Sequence, residues 1–200
     1  MHKCFLHALA MRRSIYGLDN KISLSDSELR ENLAEVIKNT PSAYNAQSAR
    51  VVLLLNEQHQ KLWQIVLESL YPLVLPEKRA ATESKIKDSF AAGYGTILFF
   101  EDAKALESVQ NKFPLYKDNF SIWAEQANGM LQYAVWTMLA AAGIGASLQH
   151  YNPLIDDKVK QTWNLPLSWQ LKAQMPFGGI KTPPTDKTFM PIAERLKVFA

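Results

Sequence analysis

MLQYAVWTMLAAAGIGASL, residues 130–148, is the stretch on which the fold turns. It is mostly apolar and about as long as a membrane span. Gln132 sits inside it, however, and Gly143 and Gly145 break its end. No basic cluster flanks it to orient it across a bilayer. Such a segment reads as a helix buried all round inside a protein or a dimer, not as a membrane anchor. The whole helix is expected from Ser121 to Ala142, with a short strand at 146–150 after it.

Upstream, two short apolar runs read as buried strands, RVVLLLN (Arg50 to Asn56) and GTILFFE (Gly95 to Glu101). Helices are expected at 3–13, on the face made by Phe5, Leu6 and Leu9, and again from Ser25. There Ser25 and Glu28 form a capping box, followed at helical spacing by Leu29, Leu33, Val36 and Ile37. Pro41 stops that helix, because the residue before a proline is pushed out of helical geometry. Further helices are expected at Glu57 to Leu70, at 81–92 with Ile86 and Phe90 inward, and at 103–110. Tyr71 to Pro76 and Phe113 to Phe120 read as loops. Downstream come a helix at Asp156 to Trp163 and a third strand at Gln170 to Met175, closed by Pro176 and Gly178-Gly179. The last twenty residues, with Pro183, Pro184 and Pro191, read as an extended tail. Helices separate the strands, so the class is α+β or α/β in a single domain, 1–200. A tail with no obvious place on its own domain can leave it and pack on a partner; that is one solution, and it would imply a dimer.

Composition excludes several functions. A formal charge of +3 with no run of Lys or Arg carries no nucleic-acid footprint. The lone cysteine, Cys4, makes no internal disulfide and belongs to no zinc-binding spacing; it reads as a small apolar residue near a frayed terminus. A reducing, cytoplasmic setting is the expectation, and no metal is expected. Met1 to Met11 lacks the long apolar core of a signal peptide.

Motifs for dinucleotides, phosphate loops and nucleophile elbows are missing, and Gly143-Ile144-Gly145 ends a helix instead of opening one. The carboxylates are scattered, with no catalytic pair. No catalytic side chain is assigned: an enzyme built this way relies on a cofactor for its chemistry.

Four polar segments remain. Arg12-Arg13-Ser14 offers two planar forks of donors and a hydroxyl, which suit a phosphate and equally suit a solvated helix end. Pro41 to Ser48 is a loop dense in amides and hydroxyls; it can read a polar heterocycle or simply make turns. Ser147 to Pro153 contains Gln149 and His150, the latter a proton donor or a hydrogen-bonded structural histidine. Pro176 to Gly179 leads to Lys181 and Lys187, each a point charge for a phosphate or a solvated lysine.

Taken in order, these segments resemble the nitroreductase family of flavoproteins, and within it the small-chain branch of fungal and bacterial stress-associated members. The resemblance spans Phe5 to Phe199 and rests on six stretches. They are RRSIYGL (12–18), PSAYNAQSARVVLL (41–54), YGTILFFED (94–102), FPLYKDNF (113–120), WAEQANGMLQYAVWTMLAAAGIGASLQHYNPLID (123–156) and AQMPFGG (173–179).

The resemblance implies an α+β fold with a small, mostly antiparallel central sheet surrounded by helices. It implies an intertwined homodimer whose C-terminal tail is exchanged, adding to the other subunit's sheet. Two FMN molecules would sit at the interface. Arg12 would pair with the FMN phosphate, and Arg13 and Ser14 would contact the ribityl and pyrimidine side. Ser42, Asn45 and Gln47 would line the flavin, in part from the opposite subunit. Gln149 and His150 would pass near its ring, and Lys187 would meet the phosphate. Two departures stand out: Tyr16 occupies a position where larger members carry a lysine, and Thr188 and Phe189 follow Lys187 in place of a second basic residue. The implied activity is transfer of electrons from NAD(P)H to nitroaromatics, quinones or related small oxidants by a ping-pong mechanism. The alternative is a non-enzymatic FMN-binding regulator in stress or lipid signalling.

Overall fold

The computed structural model describes residues 2–199, and the side chains from residue 5 onward. Cys4, expected as a small apolar residue, has a side chain outside the described residues. Alternation along one strand organises everything else. β3 (Gly95–Asp102) buries side chains on both its faces. Ile97 and Phe99 point to a core shared with α2 (Asp26–Asn39) and α6 (Lys117–Ala141). Leu98 and Phe100 point to a second core shared with α3 (Asn56–Leu70) and α7 (Asp156–Thr162). A strand covered on both sides needs no polar alternation, which is why the run reads as continuously apolar.

Among the described residues the sheet has five strands, in the order β1 (Gly17–Asp19), β5 (Trp169–Thr182), β3 and β2 (Ala49–Leu55), with β4 (Gly145–Ala146) also on β5. Every ladder is antiparallel. The class is therefore α+β, with a central antiparallel sheet between helices. No helix among the described residues is long and apolar enough to cross a membrane. The 130–148 stretch instead sends Leu131, Val135 and Leu139 into the first core, with Ile144 and Ala146 beyond the helix end.

The capping box forms as expected: Ser25 N–H donates to Glu28 Oε2 at 2.8 Å, and Glu28 N–H to Ser25 Oγ at 3.3 Å. Helix α2 ends at Asn39, with Thr40 N–H on the Val36 carbonyl.

Several boundaries differ from expectation. The helix expected at 81–92 begins earlier, as α4 (Pro76–Lys85), because proline is favourable in a first turn. It runs on as a π-helical stretch, Ile86–Ala91, with Ile86 and Phe90 buried as expected. The loop expected at 113–120 is a 3₁₀ turn, Pro114–Tyr116, after which α6 takes Lys117 to Phe120. The strand expected at 146–150 shrinks to β4, plus one isolated bridge of Gln149 to Gln174. The helix 103–110 extends as α5 (Ala103–Lys112), and α1 (His2–Met11) stops before the two arginines.

The largest difference lies in β5, which runs straight through Pro176 and Gly178-Gly179. The Pro176 carbonyl accepts from Ser147 N–H, beyond β4, so the missing proline N–H is on the side away from β3. Gly178 and Gly179 do not end the strand. They admit β1: a Cβ on Gly178 would strike the Asp19 carbonyl oxygen, and one on Gly179 the Asp19 carboxylate. β1 itself, only three residues long, has no apolar run to announce it. The tail beyond β5 is extended except for α8 (Ile192–Arg195) and exposes Phe189, Met190, Ile192 and Leu196.

Candidate functional site

β1 and β5 diverge after the pair Gly17–Thr182, and a cleft of about 400 Å³ opens between the segments leading away from them. The volume lies within the range of about 300–1,000 Å³ usual for small-molecule sites. Arg12, Arg13, Ser14 and Tyr16 form one wall; residues 182–185 and Lys187 form the other. Gly17 holds the walls together: a Cβ there would sit 2.6 Å from the Thr182 side chain.

Each basic residue is positioned by a different contact. Arg12 lies just past α1, its N–H still on the Ala8 carbonyl at 3.0 Å. Its guanidinium stacks over Trp136 of α6, 4.4 Å from the ring centroid, with Tyr133 at 5.8 Å. Such stacking orients the planar fork without consuming its donors. The Arg12 Nε is buried and without a hydrogen-bond partner among the described residues. Arg13 Nη2 donates to the Thr185 carbonyl at 2.5 Å and so ties the tail to the opposite wall. Ser14 bridges to Ala146 of β4, Ile15 N–H donates to the Ala146 carbonyl at 2.9 Å, and the serine side is exposed.

The structure thus unites Arg12, Arg13, Ser14 and Lys187, as the sequence suggested. Within one chain, it places the other candidates elsewhere. Ser42 and Gln47 line a second cleft of about 320 Å³, against Ala127 and Leu131 of α6. Gln47 N–H donates to Ser42 Oγ at 3.0 Å, and the Gln47 carbonyl accepts from Arg50 at 2.6 Å. Asn45 lines neither cleft. Tyr44, Asn45 and Gln47 all have positive φ, near 50°, a left-handed backbone that asparagine tolerates but that tyrosine and glutamine rarely adopt. Gln149 is committed to the fold: its backbone exchanges hydrogen bonds with Gln174 at 2.7 and 2.9 Å, and its Nε2 donates to Ser147 Oγ. His150 is exposed beside it and lines neither cleft.

Thr182, Pro183 and Pro184 were not anticipated, because their place depends on a β1–β5 pairing that nothing local encodes. A buried carboxyl was also missed. Glu101, 3% exposed, accepts from Asn128 Nδ2 at 3.1 Å through Oε2, while Oε1 has no partner among the described residues. Burial pushes its carboxyl up, against hydrogen bonds from Ser48 and Asn128 that pull it down. No cluster of His, Cys, Asp or Glu among the described residues is arranged to hold a metal.

An antiparallel sheet enclosed by helices, with a cleft lined by Arg12, Arg13 and Lys187 at one edge, defines an α+β protein whose cationic groups could hold an anionic small molecule. Residues 9–179 match the Nitroreductase family, and the chain belongs to that family of oxidoreductases. It is similar to nitroreductase CinD from Lactococcus lactis, solved in complexes with chloramphenicol and with 4-nitrophenol. The identity is 42% over 98% of this chain and 100% of that one, with a TM-score of 0.88. Nitroreductase FRM2 of Saccharomyces cerevisiae is 30% identical over 188 residues, 93% of each chain. A nitroreductase with bound FMN from Desulfitobacterium hafniense shares the fold at 17% identity and a TM-score of 0.71, covering 100% of both chains.

Proposed function

We propose that the chain binds FMN in the Arg12–Lys187 cleft and transfers electrons from NAD(P)H to nitroaromatics, quinones or related small oxidants by a ping-pong mechanism. The observation that carries this reading is the unpartnered, buried Nε of Arg12 beside Arg13, Ser14 and Lys187. Buried donors are costly unless satisfied, and a phosphate oxygen satisfies them with charge-assisted bonds. The residues present therefore fit FMN. Bound there, FMN would supply the two-electron redox chemistry that no side chain of this protein offers.

The chain's own contribution is positioning. Arg12, held flat against Trp136, and Lys187 neutralise the phosphate; Arg13 and Ser14 offer donors to the ribityl and pyrimidine side. Ser42, Asn45 and Gln47 would reach the flavin from the second subunit of a homodimer, and Gln149 and His150 would border its ring. The dimer is supported by exposed apolar residues on α6, Ile122, Met130 and Tyr133, and by the exposed apolar tail. An exchange of tails would cover both.

A second reading, a non-enzymatic FMN-binding regulator, is favoured by one observation. Tyr16, an aromatic and not a cation, lines the cleft. One experiment tests both. The purified protein is expected to be yellow, to release FMN on denaturation, and to bleach under anaerobic NADH or NADPH. Flavin that stays oxidised with both donors supports the regulator, and a colourless protein that takes up no added FMN overturns both readings.

A further inference from the structure

A carboxyl lies buried where three segments of the chain meet, and the chemistry proposed above does not use it. Glu101, near the end of β3, is 3% exposed. From α6, Asn128 Nδ2 donates to Glu101 Oε2 at 3.1 Å and to the Phe100 carbonyl at 2.9 Å. The Asn128 Oδ1 accepts from Gln132 Nε2 at 2.8 Å. Both N–H groups of that amide are therefore committed, and it cannot turn without losing them. From the loop before β2 comes Ser48, itself buried. Its hydroxyl hydrogen-bonds the carboxyl and favours the charged form, and its carbonyl accepts from Asp102 N–H at 2.9 Å. Because Oε2 faces an N–H, the proton of the neutral carboxyl belongs on Oε1, the oxygen listed above as lacking a fixed partner.

The loop that Ser48 closes needs an anchor. Tyr44, Asn45 and Gln47 are left-handed, and such strain persists only where the surroundings over-determine it. Two neighbouring residues of β3 grip its end. Asp102 acts through Arg50, whose Nη2 lies 3.1 Å from Oδ2 while its Nη1 donates to the Gln47 carbonyl at 2.6 Å. Glu101 acts through Ser48. Ser42, Gln47 and Ser48 line the same cleft of about 320 Å³, and Gln47 N–H donates to Ser42 Oγ at 3.0 Å. A shift of Ser48 is thus passed on to side chains that the FMN reading places against the flavin.

We infer that Glu101 is a positioning residue: through Ser48, and braced by Asn128, it holds the loop of Ser42, Asn45 and Gln47 in the conformation that meets FMN. The inference rests on the FMN reading and adds to it the group beneath the loop. The charged side chains facing the carboxyl are Glu125 of α6, which raises its pKa, and Lys172 of β5, which lowers it; they pair with each other at 2.5 Å. Burial outweighs the hydrogen bonds of Ser48 and Asn128 and pushes the carboxyl up. Its neutral form therefore persists above the ordinary carboxylate range, and the loop is held there. Once ionised, the carboxylate needs water, and the cover that can lift to admit it is the strained loop.

The test compares wild type with Glu101→Gln, which copies the neutral carboxyl and cannot ionise. FMN affinity is measured by fluorimetric titration between pH 5.5 and 8.5, both proteins at each pH, so that titration of the phosphate itself cancels. The two should bind equally at the acid end. At the alkaline end the wild type should bind about fivefold more weakly, the scale of one lost hydrogen bond. Glu101→Leu, if it folds, should bind about fivefold more weakly at both ends. Hydrogen exchange of the flavin-free proteins reads the loop directly: amides of residues 42–48 should exchange faster in wild type than in Glu101→Gln at pH 8.5, and at the same rate at pH 5.5. Equal FMN affinities at every pH overturn the positioning role, even if the two proteins differ in stability. Equal exchange across 42–48 at every pH overturns it as well. A wild type that takes up no FMN at any pH sinks the FMN reading, and the exchange comparison then decides by itself whether Glu101 holds the loop.

Discussion

The guanidinium of Arg12 lies 4.4 Å from the ring centroid of Trp136. The first arginine of the RRS triplet is therefore fastened to the long helix α6, with a donor left over. Arg12→Ala is expected to weaken FMN binding by about 1.5–3 kcal/mol, the scale of a charge-assisted hydrogen bond. Trp136→Leu leaves the charge but frees the fork, and should cost less. Fluorimetric FMN titration checks both; an unchanged Arg12→Ala titration removes the phosphate assignment.

Acid should destabilise the protein through His59. This buried ring is flanked by Thr96 Oγ1 at 2.8 Å from Nδ1 and by the Ala91 carbonyl at 3.2 Å from Nε2. Trp63 Nε1 donates to the same Thr96 hydroxyl at 3.0 Å, so Thr96 donates to Nδ1 and the proton of the neutral ring sits on Nε2. Burial lowers the ring's pKa from 6.5 to about 4. The unfolded chain binds this proton first, so stability is complete above about pH 6.5 and falls as pH drops towards 4, by about 1.4 kcal/mol per unit. Urea unfolding between pH 7 and 4.5 measures the slope (at fixed ionic strength), and His59→Gln should flatten it.

Glu101 acts in the opposite direction. Its folded pKa is raised, so its contribution is complete below the ordinary value of 4.5 and is lost as pH rises through the folded value. Glu101→Gln cannot ionise. Its stability relative to wild type should increase as pH is raised from about 4.5, by up to about 1.4 kcal/mol per unit until the folded pKa is passed. A difference that stays constant with pH would mean that the wild-type carboxyl is not perturbed.

Gly178→Ala should act on the site from a distance. The added methyl meets the Asp19 carbonyl oxygen, which is backbone and cannot swing away. A cost of about 1–3 kcal/mol is expected, as for other overpacked positions. Because β1 leads directly from the Arg12–Gly17 wall, the variant should also lose affinity for FMN. Thermal unfolding and flavin titration would report the two effects separately.

What local pattern encodes was legible in the sequence. Ser25 and Glu28 announced α2, the apolar runs at 50–56 and 95–101 announced β2 and β3, and Gln132 with the two glycines argued against a membrane span at 130–148, which buries one face of its helix and leaves Met130 and Tyr133 exposed. What depends on a distant strand was not legible. Pro176 and Gly178-Gly179 look like a strand end, and only the nearness of β4 and β1 makes them part of one. The site divides in the same way. Arg12 and Lys187 carry recognisable donors, but the partner that brings their segments together, Gly17 against Thr182, has no signature in either neighbourhood. The left-handed backbone of Tyr44 and the aromatic rings around it were not legible either, because they are tertiary facts.

The length of β5 also sets a schedule for biosynthesis. β2 and β3 can pair once residue 102 has emerged, but among the described residues β1 and β4 pair with no strand except β5. Contacts this far apart in sequence form slowly and late. A nascent chain thus carries Arg12, Arg13 and Ser14 with no opposite wall to face until residues 182–187 have been made. The cleft cannot exist before Thr182 leaves the ribosome, so any ligand there waits for both walls to be made.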